Sequence, residues 1–179
     1  MTAGRSHPPA ILSTQRLLLR PCVPEDVQPL HDRVFSNPVV MRFVFSGATF
    51  SPEQSAKFIH ERFGLDNNGV GFAALVERSS NEVIGFSGLV RTRAIAEDDL
   101  ELGFVLGQSS WGRGYATEIG RGQIEFGLQQ LRRRRLLALV DPDNISSIRV
   151  VEKLGMKHDR NVHVDGRGVR CVYRIELGT

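Results

Sequence analysis

Short apolar runs alternate with polar turns through the middle of the chain. Residues GFAALVE (71–77), VIGFSGLV (83–90) and LELGFVL (100–106) form three such runs. The first two are separated by Ser79-Ser80-Asn81 and the last two by residues 96–99. Runs of this length, with turn residues between them, predict an antiparallel meander of strands.

Two helices are predicted ahead of the meander. Pro24, followed by two acids, begins a segment whose apolar positions recur at helical spacing as far as Phe35. Ser51, followed by a proline, predicts the N-terminus of a second helix that reaches Phe63. The run QRLLLR (15–20), which a proline closes, predicts a first strand before both helices.

A crossover helix is predicted after the meander. Its apolar and small residues follow one helical stripe, formed by Gly120, Ile124, Gly127, Leu128 and Leu131. Glycines weaken a helix, so we expect them to allow close packing on the sheet. The run LLALV (136–140) then predicts a buried strand, parallel to the strand that precedes the helix.

The C-terminal part predicts one more helix and one more strand. Asn144 is a typical N-cap residue, and Gly155 follows Leu154, where a left-handed residue commonly ends a helix. Residues 170–177 alternate apolar and polar positions and predict a final strand. We expect this strand to be exposed, so that it could pair with a second subunit in a homodimer.

These elements predict an α/β fold of the α+β type, with a mixed, mostly antiparallel sheet flanked by helices. A chain of 179 residues with 41% hydrophobic composition suffices for one core, so we interpret residues 1–179 as a single domain and residues 1–13 as a loose leader. No apolar run is long enough to span a membrane. Cys22 and Cys171 lack CxxC spacing and the histidines lack ligand spacing, so we expect free thiols, a cytoplasmic location and no metal.

The strongest chemical signal is the turn WGRGYA, between a predicted strand and a predicted helix. Gly112 and Gly114 let the backbone turn sharply and expose N–H groups beside a helix N-terminus, and Arg113 adds a cation. The alternative is a turn that uses glycine for its geometry alone. The turn lacks the Gly-Lys-Ser/Thr of a Walker loop and the full GxGxxG of a dinucleotide fold. We therefore expect another phosphate-bearing ligand, which a net charge of +3 with 20 arginines suits.

At these residues the chain resembles the GNAT superfamily, and more closely its ribosomal-protein-alanine N-acetyltransferase branch. The resemblance covers residues 13–177 and is carried by TQRLLLRP (14–21), LELGFVLGQSSWGRGYATE (100–118) and DNISSIRVVEKLGM (143–156). The superfamily pattern has Gln or Arg where Trp111 stands, whereas the branch has Trp. The resemblance implies a sheet that splays between its fourth and fifth predicted strands, with acetyl-coenzyme A in the splay.

The resemblance also implies a cofactor site. Its turn would hold the coenzyme A pyrophosphate through backbone N–H groups, and the splayed strand would line the pantetheine arm, which can pair with it like an added strand. The implied cofactor-binding residues are Phe104, Val105, Leu106, Trp111, Gly112, Arg113, Gly114, Tyr115, Ala116, Thr117, Asn144 and Ser147. The alternative for Asn144 is a plain N-cap, and for Ser147 a residue of the first helical turn.

Glu101 is the candidate catalytic base. The period of two along a strand puts it on the face opposite its leucine neighbours, and the resemblance places that position near the acetyl group, where a carboxylate could accept the amine proton through a water. Its alternative is a solvated acid beside the acidic residues 97–99. Ser147 is the candidate catalytic residue that donates a proton or a hydrogen bond to the departing thiolate, and Tyr115 is a second, weaker candidate.

The sequence therefore predicts an N-acetyltransferase that moves an acetyl group from acetyl-coenzyme A to a primary amine, on a protein N-terminus or a small molecule. We expect direct transfer in a ternary complex, because no cysteine lies in the motif region. One alternative is a non-catalytic coenzyme A-binding or ribosome-associated module. Another keeps the chemistry and changes the acceptor to a polyamine, an antibiotic or an amino acid.

The sequence gives fewer signals about the acceptor and about macromolecular partners. Residues 39–50 and 161–168 are the expected acceptor side, and a ribosomal protein is one candidate acceptor. Four consecutive arginines, residues 132–135, could contact nucleic acid. They follow a helix C-terminus, where cations are favoured, so we interpret them as dipole-compensating and solvated and expect neither nucleic acid nor membrane as a partner.

Overall fold

The computed structural model describes residues 8–95 and 98–176. Most of the expected leader, Glu97 of the acidic turn and the last residue of the expected final strand lie outside this range. Eight strands are present in the described part: β1 Leu12–Ser13, β2 Leu17–Arg20, β3 Gly71–Glu77, β4 Glu82–Thr92, β5 Asp99–Leu106, β6 Arg135–Val140, β7 Lys157–Val164 and β8 Gly168–Glu176.

The strands form a single sheet in the order β1-β2-β3-β4-β5-β6-β8-β7. Every neighbouring pair is antiparallel except β5 and β6, which are parallel. Within the described residues, β5 and β6 are in register only at Glu101 and Leu137. The mixed, mostly antiparallel sheet and its splay between these two strands, the fourth and fifth predicted from the sequence, are therefore confirmed.

Five α-helices accompany the sheet in the described ranges: α1 Val27–Leu30, α2 Pro38–Met41, α3 Pro52–Arg62, α4 Tyr115–Glu125 and α5 Ile145–Lys153. A 3-10 turn at Pro24–Asp26 leads into α1, and a π-helical turn at His31–Phe35 extends it, so the first predicted helix is one helical segment. A π-helical turn at Phe126–Gln130 likewise extends α4. None of the helices among the described residues combines the length and apolar character needed to cross a membrane.

Side-chain caps fix where two of these helices begin. The Ser51 hydroxyl accepts from the Gln54 N–H, while the Gln54 side-chain oxygen accepts from the Ser51 N–H. This reciprocal arrangement satisfies two N–H groups that the helix itself leaves without partners. At α5 a single cap bond is present, in which the Asn144 side-chain oxygen accepts from the Ser147 N–H. Both starts were predicted from the residue types.

Helices cover both faces of the sheet. One face packs against α1 to α3 through a cluster that contains Phe35 and Phe86, and the other packs against α4 and α5 through Leu100 and Leu136. A Cβ atom added at Gly127 would lie 2.7 Å from a Leu136 methyl carbon, which is closer than real contacts allow. The glycine therefore lets the end of the crossover helix approach the sheet, as expected.

Ion pairs close one end of the splay. Arg135 donates two hydrogen bonds to Asp99, at 2.8 and 2.9 Å, and Arg133 pairs with Asp98 at 3.0 Å. These pairs, which we call the clasp, join the N-terminal ends of β5 and β6. Two of the four consecutive arginines are thus ion-paired within the protein, whereas the sequence led us to expect them to be freely solvated, and the absence of a nucleic-acid partner stays a prediction.

The C-terminal end of the sheet differs from the expectation. β8 lies between β6 and β7, so the proposed exposed final strand is wrong, and β7 is the edge. The strand β7, Lys157–Val164, was not predicted, because its sequence KHDRNVHV is largely polar and mostly exposed on both faces. Charged edge strands of this kind resist pairing with another chain, which removes the stated reason for a homodimer.

Candidate active site

A tight turn leads from β5 to α4. Gly112 and Gly114 have φ angles of +72° and +79°, in the left-handed region that side chains disfavour. A Cβ atom at Gly112 would meet nothing within 4 Å, so glycine is needed there for backbone conformation and not for space. The turn therefore has the geometry that the sequence predicted for it.

The backbone N–H groups of residues 112–117 are the notable feature of this turn. Among the described residues, none of these groups donates to a protein acceptor, and the first N–H of α4 with a partner is that of Glu118, bonded to the Gly114 carbonyl at 3.0 Å. Unpartnered donors at the N-terminus of an 11-residue helix form a site for an anion.

Charged side chains surround Tyr115 at the start of α4. The guanidinium carbons of Arg16 and Arg113 lie 4.6 and 4.7 Å from the Tyr115 ring centroid. Arg113 also pairs with Glu77 at 2.7 Å, and the Tyr115 hydroxyl donates to the same carboxylate. Hydrogen bonds from Tyr115 and Ser80 and the charge of Arg113 hold the pKa of Glu77 below its usual value.

This arrangement changes two expectations. The bond to Glu77 raises the pKa of Tyr115 and occupies its hydroxyl, which disfavours Tyr115 as a proton donor for a thiolate. The Arg113 guanidinium already has a carboxylate partner. The backbone N–H groups of the turn are therefore the main groups available to bind an anion.

A cavity of about 780 Å³ lies between the splayed strands. It brings together five residues expected at the site: Glu101, Phe104, Val105, Asn144 and Ser147. Five phenylalanine side chains, Phe43, Phe45, Phe58, Phe72 and Phe86, also line it. Both expected acceptor-side segments contribute to the lining, through Phe43 and neighbouring residues and through Asp165 and Arg167.

Leu106 and Trp111 lie apart from that cavity. The Leu106 side chain is buried in the core beside α4, and its carbonyl accepts from the Trp111 indole N–H at 2.8 Å. The Leu106 side chain therefore does not line the cavity, and the expected place of Leu106 along a pantetheine arm stays a prediction about its backbone. Trp111 is 46% exposed at the outer edge of the turn.

Glu101 lies inside the cavity and is only 8% exposed, so it is not the solvated acid of the alternative interpretation. Arg167, in the turn between β7 and β8, donates to its carboxylate at 3.2 and 3.3 Å. Burial raises the pKa of Glu101 above its usual value, and the positive charges of Arg167 and Arg170 offset part of that rise.

Asn144 and Ser147 line the same cavity from the first turn of α5. The Asn144 oxygen is bonded to the Ser147 N–H at 3.1 Å, so its N-cap role is established and leaves its amide N–H groups as donors. Sequence reasoning did not assign a site role to Arg167, Glu77 or Arg16, although Arg16 lies in segment 14–21 of the family resemblance and Arg167 in the expected acceptor-side segment 161–168. Only the pairing of distant segments in three dimensions reveals them.

Comparison with known proteins decides the family. Residues 16–157 match the acetyltransferase (GNAT) domain family model. The chain belongs to the GNAT acetyltransferase family. It is an acyltransferase that uses acetyl-coenzyme A as co-substrate and transfers an acetyl group to an amine.

Individual relatives agree with this family. An N-acetyltransferase named YnaD from Bacillus subtilis is 28% identical over 148 residues, which cover 83% of each chain. RimL, a ribosomal L7/L12 alpha-N-protein acetyltransferase solved with coenzyme A, aligns with a TM-score of 0.77 and 18% identity over 94% of this chain and 98% of its own. Spermidine N-acetyltransferase from Vibrio cholerae, solved with coenzyme A and spermine, aligns with a TM-score of 0.71 and 16% identity over 90% of this chain and 95% of its own. Because these sequence identities are low, the two structures show that the fold is shared and nothing more.

Proposed function

We propose that the whole chain is one catalytic domain that transfers the acetyl group of acetyl-coenzyme A directly to a primary amine in a ternary complex. The observation that carries this proposal is the position of the unpartnered amides of residues 112–117 at the end of β5, the strand whose other end bears Glu101. One strand thus connects an anion site to a buried carboxylate.

The turn fits the pyrophosphate of coenzyme A. Successive N–H groups and the N-terminus of α4 favour a diphosphate without any side-chain movement. We propose that the pantetheine arm lies along the free edge of β5 beyond Glu101, next to Phe104 and Val105, because strand edges there have donors and acceptors to offer. The remaining turn residues, Trp111 to Thr117, would contact the cofactor through their backbone.

The cavity supplies groups for the chemistry. We propose that Glu101 accepts the proton that the amine loses as the C–N bond forms, directly or through a water. The Ser147 hydroxyl, which lines the same cavity, would donate a hydrogen bond to the departing thiolate. Neither Cys22 nor Cys171 lines the cavity, so direct transfer is favoured over an acyl-enzyme.

The lining of the cavity favours some acceptors over others. Its four arginines, Arg62, Arg91, Arg93 and Arg167, are balanced by the acids Glu101, Asp141 and Asp165 and by Asp66 and Asp98, which pair with Arg91. A polyamine would place additional ammonium groups against the phenylalanine wall, where burying a charge is costly. We therefore propose an acceptor with a single amine beside an apolar group that contacts the phenylalanine wall, such as a protein N-terminus or a small monoamine.

A thiol-release assay with acetyl-coenzyme A tests this function. The acceptors are a peptide with a free N-terminus, the same peptide acetylated at its N-terminus, an arylalkyl monoamine and spermidine. We expect release with the free peptide or the monoamine, less with spermidine, and none above background with the blocked peptide. Thermal stabilisation by coenzyme A without thiol release from any amine would contradict catalysis and support a binding module.

A further inference from the structure

One arginine bridges the two strands at the closed end of the splay. The Arg167 Nη1 atom lies 3.2 and 3.3 Å from the two carboxylate oxygens of Glu101 on β5. Its Nη2 atom lies 3.2 Å from one of those oxygens and 3.4 Å from the carbonyl oxygen of Leu139 on β6. The guanidinium therefore connects the two strands beside their only described register pair, Glu101 with Leu137.

Arg167 lies in the tight turn between β7 and β8. Gly166 and Gly168, on either side of Arg167, have φ angles of +72° and +73°, and the Arg167 N–H donates to the Val164 carbonyl at 2.9 Å. The Arg167 side chain is 31% exposed and that of Glu101 is 11% exposed, so the pair is largely removed from water. Contacts of this kind lose less strength to solvent screening than surface pairs do.

Burial and the guanidinium act on Glu101 in opposite directions. Burial raises the pKa of this carboxyl, and the charge and hydrogen bonds of Arg167 are the largest opposing influences. A buried carboxyl without a cation tends to keep its proton at neutral pH and then cannot accept another. Charged groups on several elements also line the cavity or act on Glu101: Arg62 on α3, Arg91 and Arg93 on and after β4, Asp141 after β6, Asp165 before Arg167, and Arg170 on β8.

We propose that Arg167 is a positioning residue that holds the Glu101 carboxylate ionised and oriented in the cavity, so that it can accept the proton of the amine. This proposal rests on the proposed role of Glu101 as base. The proton passes from the attacking nitrogen to a Glu101 oxygen and then to solvent, while Arg167 remains protonated throughout. Arg167 does not contact the reacting atoms and acts through Glu101.

The titration of Glu101 tests the proposal without any need for turnover. Carboxyl carbon NMR spectra of the full chain would be recorded across pH for the wild type, Arg167→Met and Arg167→Lys, with Glu101→Gln to assign the signal. We expect the Glu101 midpoint to move to higher pH in Arg167→Met, and to move less in Arg167→Lys, which keeps the charge without the planar fork. An unchanged midpoint in Arg167→Met would overturn the proposal.

The pH profile of kcat/KM provides the second readout. Its acid limb should move to higher pH in Arg167→Met, with a loss of about tenfold in rate on that limb for each pH unit of displacement. Arg160→Met, at an exposed arginine on β7 that pairs with Asp159, is the matched control and should leave the limb in place. Faster transfer by Arg167→Met at neutral pH would identify the guanidinium as a blocking group and contradict positioning.

Two controls separate the possible failures. Thermal melts show whether Arg167→Met is folded, and Arg167→Lys serves as the informative variant if it is not. If Glu101→Gln keeps full activity, the proposed base role fails. The NMR titration then still decides whether Arg167 sets the ionisation of Glu101.

Discussion

The two ends of β5 present two kinds of site. At the C-terminal end, the anion site is formed by consecutive residues, 112–117, and mainly by their backbone. At the N-terminal end, Glu101 meets Arg167, a residue 66 positions away, and the cavity around it draws on α3, β4, β6 and α5. The first site depends on local conformation and the second on tertiary assembly. Substitutions at the two ends should therefore affect different steps.

The largest effect is expected at the assembled end. Glu101→Gln keeps the size of the side chain and removes its ability to accept a proton, so acetyl transfer should fall by about 10²-fold or more. In the wild type the rate should decrease as the pH falls through the raised pKa of Glu101, because the protonated carboxyl cannot act as base. That acid limb should vanish in the variant, as measured by kcat/KM across pH.

Coenzyme A binding, measured by calorimetry, should be unchanged in the same variant. Glu125→Gln, at an exposed position of α4, is the control and should retain both activity and pH profile. Wild-type kinetics in Glu101→Gln would remove the carboxylate from the mechanism and weaken the contrast between the two ends.

The next effect is expected in the backbone turn. Gly112→Ala adds a methyl group that meets no atom within 4 Å, but it places alanine at a φ of +72°. The left-handed conformation costs a residue with a side chain roughly 1–2 kcal/mol, so the binding conformation is less populated and the Kd for coenzyme A should rise about tenfold.

Gly64→Ala is the matched control for this change, because its added Cβ also meets nothing within 4 Å and its φ lies outside the strained range. Calorimetric titration with coenzyme A should show wild-type affinity for Gly64→Ala. Equal affinities of the Gly112 and Gly64 variants would show that the turn does not need its conformation to bind.

The smallest effect is expected for the charged side chain within the turn. Arg113→Met should raise the KM for acetyl-coenzyme A only about two- to fivefold, because the half-exposed guanidinium is already paired with Glu77 and screened by solvent. The difference from wild type should shrink at high salt. Arg121→Met, at an exposed position of α4, is the control, and a loss of tenfold or more in Arg113→Met alone would assign the side chain a larger share than the backbone.

The same contrast explains what the sequence could predict. The turn, the caps at Ser51 and Asn144, and the meander strands follow from local residue types and periodicity, and the structure has all of them. The splay itself came only from family resemblance, since no spacing within β5 or β6 encodes it. β7 escaped prediction because its first five residues are polar, and only Val162 and Val164 at its end alternate with polar positions.

The side-chain partners could not be read from the sequence in the same way. Arg167 looks like one more polar residue in a glycine-flanked turn, and Glu77 looks like the polar end of a strand. Each acquires its role from a residue distant in the chain, Glu101 or Arg113. Such roles depend on the sheet order β6-β8-β7 and on the β3–α4 approach, which local patterns do not specify.

The single register pair between Glu101 and Leu137 has a further consequence for sequence variation. Side chains alternate between the faces of a strand, so a slip of one residue in β5 would turn this carboxyl toward α5 and present a leucine in its place. An insertion or deletion between the clasp and this pair should therefore remove the proposed base from the cavity while leaving the hydrophobic layers nearly intact. The number of residues in this short stretch therefore matters as much as the identity of the glutamate.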